Sequence, residues 1–140
     1  MASIRTDTLV QAPAGEVWAA LASIGDAHRV FAGVLSESRL ERDDLRVATF
    51  ANGLVVKEQI VDIDPQLRRI AYTVLGDTFQ HHNASMRVVA ESDSTCRFVW
   101  ITDVLPHAAA DQVRPLMEAG ASALKRTLET VAAEKGAIRQ

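Results

Sequence analysis

The chain has 140 residues, a length that fits one domain (1–140) with a core of its own. Its 48% hydrophobic and 24% charged content is ordinary for a globular protein, and a net charge of −3 with scattered basic residues argues against a nucleic-acid partner. The single Cys96 excludes an intrachain disulfide framework; with a polar stretch at 1–7 and no apolar run of bilayer length, it predicts a cytoplasmic protein.

Residues 4–10 read as a first strand. Pro13 then opens a helix in which Val17, Leu21 and Ile24 share a face, with Trp18 beside them as a core anchor. Gly25-Asp26 breaks that helix, and Asp26 is placed to cap a second short turn through Phe31. Six strands follow at about 35–41, 45–50, 54–63, 69–75, 79–89 and 95–105. They are separated by Arg42-Asp43-Asp44, Asn52-Gly53, Asp64-Pro65-Gln66, Gly76-Asp77 and Ser92-Asp93-Ser94, residue types that tight turns require. Such short connections make an antiparallel meander.

From 111 to about 134 the period changes. Val113, Met117, Gly120, Leu124, Leu128 and Val131 fall on one helical face, and Pro115 marks a place where the first turn can be separate. A long amphipathic helix must bury its stripe, and the sheet is the large apolar surface available. The fold class is therefore α+β: a curved antiparallel sheet of about seven strands wrapped around a long C-terminal helix, with two short helices after the first strand.

Alternation selects the inner face of each strand. On 54–63 the more apolar face carries Leu54, Val56, Glu58 and Ile60. The next strands give Ile70, Tyr72 and Val74, then His82, Ala84, Met86 and Val88. The last gives Cys96, Phe98, Trp100, Thr102 and Val104. A turn at Ser92-Asp93-Ser94 sets Met86 opposite Trp100 and Val88 opposite Phe98. One near Gly76-Asp77 sets Tyr72 opposite His82 if a residue is bulged. Glu58, Tyr72 and His82 then share an apolar interior, where a carboxylate and an imidazole need partners. Arg46 is one candidate. A three-residue loop around Asn52-Gly53 sets Arg46 opposite Glu58, whereas a two-residue turn puts Val47 there and points Arg46 outward. Both registers suit the sequence.

These features together resemble the helix-grip superfamily of START lipid-binding domains and the birch-pollen-allergen fold (SRPBCC), in its bacterial polyketide cyclase/dehydrase branch. The carrying residues are Ala12-Pro13-Ala14-Gly15-Glu16-Val17-Trp18, Leu45-Arg46, Asn52-Gly53, Val56-Lys57-Glu58-Gln59-Ile60, Asp64-Pro65, Tyr72, Trp100 and the final helix from Leu116 to Glu129. The resemblance spans nearly the whole chain. One departure stands out: many relatives carry a Trp-Pro-like pair where this chain has Ala27-His28-Arg29-Val30-Phe31, so Phe31 is expected to take the aromatic's place.

The resemblance implies a cavity between sheet and helix for a small hydrophobic or aromatic ligand, polyketide-, lipid- or quinone-like. Its expected walls are Phe31, Phe50, Val56, Met86, Phe98, Trp100, Met117 and Leu124, with Gly120 leaving either ligand space or room for close packing. Arg46, Glu58, Tyr72 and His82 supply the polarity. A second reading is a cyclase or dehydratase in which Glu58 or His82 moves protons and Tyr72 donates a hydrogen bond. A third is a protein-interaction module with a collapsed interior, as in chaperone co-activator relatives. His81-His82 point to opposite faces of a strand and so make a poor metal pair. No Walker loop, dinucleotide fingerprint, Ser-His-Asp order or HExxH motif occurs, so no cofactor is expected. The oligomeric state, monomer or homodimer, is open.

Overall fold

The structure is a computed structural model that describes residues 2–139. Seven strands, β1 (Ser3–Val10), β2 (Leu35–Arg42), β3 (Leu45–Phe50), β4 (Val55–Asp64), β5 (Arg69–Val74), β6 (His81–Ala90) and β7 (Cys96–Leu105), form one antiparallel sheet. Their order is β1-β7-β6-β5-β4-β3-β2, a meander from β2 to β7 with β1 added to the far side of β7. Helix α1 (Ala14–Ala22), a 3₁₀ turn at Ile24–Asp26 and α2 (Ala27–Val30) connect β1 to β2; α3 (Ala110–Arg139) closes the chain. This is the helix-grip fold that the periodicities predict. No helix among the described residues is long and apolar enough to cross a membrane.

Helix α3 packs along β1, β7 and α2 and buries Val113, Met117, Gly120, Leu124 and Leu128. Val131, expected on the same stripe, is 37% exposed, and its neighbour Ala132 packs against the core instead. Two polar links fix its seat: Lys125 Nζ donates to the Leu9 carbonyl at 2.8 Å, and the Gln11 amide donates to Glu129 Oε2 at 2.8 Å. Pro115 does not separate a first turn. The helix runs through it, and the separate turn is a 3₁₀ segment before it, His107–Ala109. Pro115 forfeits a bond to the Asp111 carbonyl only, in the first turns, where α3 tolerates the loss.

Asp26 makes no side-chain capping bond. The junction of α1 and α2 is held from the sheet instead. Ser38 Oγ on β2 donates to the Gly25 carbonyl at 2.9 Å and accepts the His28 amide at 3.0 Å. Arg46 Nη1 on β3 donates to the Ile24 carbonyl at 3.2 Å. Trp18 is half-buried and packs against the main core, whose fully buried members include Val17, Cys96, Phe98 and Leu124.

Register settles the loop between β3 and β4. The Phe50 amide bonds the Leu54 carbonyl at 2.8 Å across Ala51-Asn52-Gly53, with Gly53 at φ +92°. A glycine supplies that left-handed position at little steric cost. This three-residue loop sets Arg46 opposite Glu58. Met86 stands opposite Trp100 and Val88 opposite Phe98, as expected.

Candidate functional site

A cavity of about 130 Å³ lies between α3 and the inner faces of β3 to β7. Eleven of the thirteen side chains expected there do line it: Phe31, Arg46, Phe50, Val56, Glu58, Tyr72, His82, Met86, Trp100, Met117 and Gly120. Phe98 and Leu124 do not. Both are 0% exposed in the core beneath, one inward position from Trp100 on β7 and one turn from Gly120 on α3. Alternation names the face of a residue but not its depth along the element.

Arg46 and Glu58 form the charged floor. Arg46 Nε donates to Glu58 Oε1 at 2.8 Å, and both side chains are nearly dry. The guanidinium carbon lies 5.7 Å from the centre of the Tyr72 ring, a cation–π distance. Arg46 thus serves three elements at once: the carboxylate on β4, the carbonyl before α2 and the phenol ring on β5.

Tyr72 is buried. Desolvation, then the Glu58 charge, raises its phenol far above the ordinary range, against the smaller pull of Arg46. It is a neutral hydrogen-bond donor at any working pH. The Trp100 indole N–H lies near enough to favour the phenolate slightly, yet it makes no hydrogen bond in the protein.

His82 departs from its expected position. Tyr72 stands opposite Ala84, not His82, because the β5–β6 ladder ends at that pair. Beyond it the two strands are joined by side chains. The Val74 amide donates to His82 Nδ1 at 3.1 Å, and the Thr73 hydroxyl donates to the His82 carbonyl. With Nδ1 accepting, the neutral ring carries its proton on Nε2. Burial, with His81 adding to it, lowers the imidazole to about 4. The ring centroid lies 5.9 Å from that of Tyr72 and 5.1 Å from that of Phe79.

Trp100 lines the space. Its ring centroid is 5.7 Å from Phe31 and 5.9 Å from Phe98. A Cβ added at Gly120 would stand 2.8 Å from Trp100 Cζ3. Gly120 lines the cavity and also makes room for the indole. Phe31 is buried against this ring.

Thr102 and Phe79 were not singled out as site residues. Thr102 shares its face with Trp100 and lines the cavity at 1% exposure, and its Oγ1 has no hydrogen-bond partner in the protein. Its parity along β7 was the available signal. Phe79, expected to open the strand at 79–89 on the face opposite His82, sits instead in the loop before β6, which begins at His81, so strand parity does not govern it. Among the described residues, no group of three His, Cys, Asp or Glu side chains could hold a metal ion.

The sequence model described as "Polyketide cyclase / dehydrase and lipid transport" matches residues 1–129. The chain belongs to this family. Solved structures agree with the family's fold. A Thermobifida fusca protein determined by NMR shares 26% identity and a TM-score of 0.73, covering 91% of this chain and 93% of its own. The di-domain ARO/CYC protein BexL of the BE-7585A biosynthetic pathway matches at 19% identity and TM-score 0.80, over 92% of this chain and 47% of that one. A START superfamily protein from Mycobacterium smegmatis matches at 14% identity and TM-score 0.71, over 94% and 97% of the two chains. Among curated proteins, none matches significantly.

For a member of the polyketide cyclase/dehydrase and lipid transport family, this interior offers apolar walls, one internally neutralised ion pair and a set of hydrogen-bond donors.

Proposed function

We propose that this protein binds a small hydrophobic ligand between its sheet and α3. The observation that carries the reading is the cavity itself. A space of about 130 Å³ persists inside walls such as Phe31, Phe50, Met86, Trp100 and Met117, and polar groups converge on it from β3 to β7. Ligand sites are concave, mostly apolar and marked by a few placed polar groups. An interaction module with a collapsed interior would have no use for this space.

Native mass spectrometry of freshly purified protein, followed by a thermal-shift screen of aromatic ketones, fatty acids, sterols and quinones, tests it. A co-purified apolar mass, or a saturable rise in melting temperature with one class, is the expected result. No bound mass and no shift with any class would overturn the reading.

Catalysis is the second reading, and one observation favours it: a neutral His82 with its proton on Nε2 stands ring to ring with a neutral Tyr72. Such a pair can protonate an enolate or assist departure of water in a cyclisation or dehydration.

A further inference from the structure

We infer that the ligand is an uncharged molecule carrying a hydrogen-bond acceptor, such as a ketone or quinone carbonyl, on a buried portion about the size of one aromatic ring. The inference rests on the binding reading above and goes beyond it in naming charge, polarity and size.

Charge follows from Arg46. It is the cation on the cavity wall, and its charge is met within the protein: Nε on Glu58, Nη1 on the Ile24 carbonyl, its guanidinium carbon over the Tyr72 ring. A carboxylate entering this interior would be stripped of water and set near Glu58 without a free counter-charge, a heavy penalty in a low dielectric. An ammonium group would find Glu58 already paired. The neutral form of His82 offers no compensating charge either.

Polarity follows from the groups left over. Thr102 lines the cavity and its buried hydroxyl has no partner; the Trp100 indole N–H, a donor only, is buried and likewise unpartnered. Val74 occupies His82 Nδ1 and so leaves Nε2–H as a third donor. Unmade bonds at buried donors are unfavourable, and a ligand acceptor relieves them. A hydrocarbon does not.

Size follows from volume. A space of about 130 Å³ is near the roughly 150 Å³ that holds benzene in an engineered apolar cavity.

Isothermal titration of the full chain at pH 7 with three single-ring isosteres, acetophenone, benzoate and ethylbenzene, tests the inference. Acetophenone should bind about tenfold more tightly than either of the others, the gain expected of one or two well-made hydrogen bonds. In Thr102→Val the advantage over ethylbenzene should shrink to less than about threefold; Trp100→Phe, which keeps an aromatic ring and removes the N–H, is the second variant should the first not fold. Benzoate binding as tightly as acetophenone would overturn the charge assignment. Ethylbenzene binding as tightly would overturn the acceptor assignment; in both cases the cavity reading stands. Absence of binding by all three, together with a blank thermal-shift screen, would overturn the binding reading itself.

Discussion

Arg46 on β3 and Glu58 on β4 face each other across one rung of the sheet, Nε to Oε1 at 2.8 Å, with both side chains almost out of water. A buried pair of this kind adds little net stability over an apolar pair, but leaving one member alone is expensive. Arg46→Met should therefore destabilise the protein by about 3–5 kcal/mol, and Arg46→Met with Glu58→Leu should recover most of that loss. Denaturant unfolding of the two variants checks the sign. A single variant as stable as the parent would mean that water reaches Glu58 in solution.

Glu58→Gln separates binding from catalysis in which Glu58 is the base. It keeps the shape and an acceptor for Arg46 Nε while removing the proton-transfer group. A binder should retain affinity within about threefold, whereas an enzyme using Glu58 as base should bind and lose at least a hundredfold in turnover. Titration and a product assay on the same preparation read both quantities.

The pH dependence of stability should carry the mark of His82. Its folded pKa, about 4, lies below the ordinary 6.5. Between those values the unfolded chain binds a proton that the folded one refuses, so stability is full above 6.5 and falls as pH drops toward 4. Below about 4 this contribution levels off. His82→Gln, which can still accept from Val74, should flatten that part of the profile. Melting temperatures of both proteins between pH 4 and 8 check it, and parallel slopes would assign the titration to other groups.

Gly120 makes a test in which the sign reverses. Alanine in a helix interior is favoured over glycine by about 1 kcal/mol. At this position the new Cβ meets Trp100 Cζ3 at 2.8 Å, and the indole is wedged against Phe31 and Phe98. Overpacking of that kind costs about 1–3 kcal/mol. Gly120→Ala should thus be destabilising alone and stabilising in a Trp100→Ala background. A double-mutant cycle by denaturant unfolding measures the coupling.

Much of this was legible from alternation and turn chemistry. The inner faces of β4 to β7 and the pairs Met86–Trp100 and Val88–Phe98 follow from period two and one hairpin register. What stayed hidden was of two kinds. One was depth: Phe98 and Leu124 have the right parity but sit one step too deep to touch the cavity. The other was side chains standing in for backbone. Asp26 looked like a cap, but Arg46 and Ser38 hold that junction from the sheet. The offset of His82 from Tyr72 likewise depends on where a ladder stops, which no local pattern encodes.

The bond from the Val74 amide to His82 Nδ1 also makes that backbone proton an indicator. Its resonance senses the imidazole directly, so a ligand oxygen arriving at Nε2 on the other side of the ring should move it. The ladder that stops at Tyr72 and Ala84 thereby places a spectroscopic window on cavity occupancy in the main chain itself, readable without a label on any ligand.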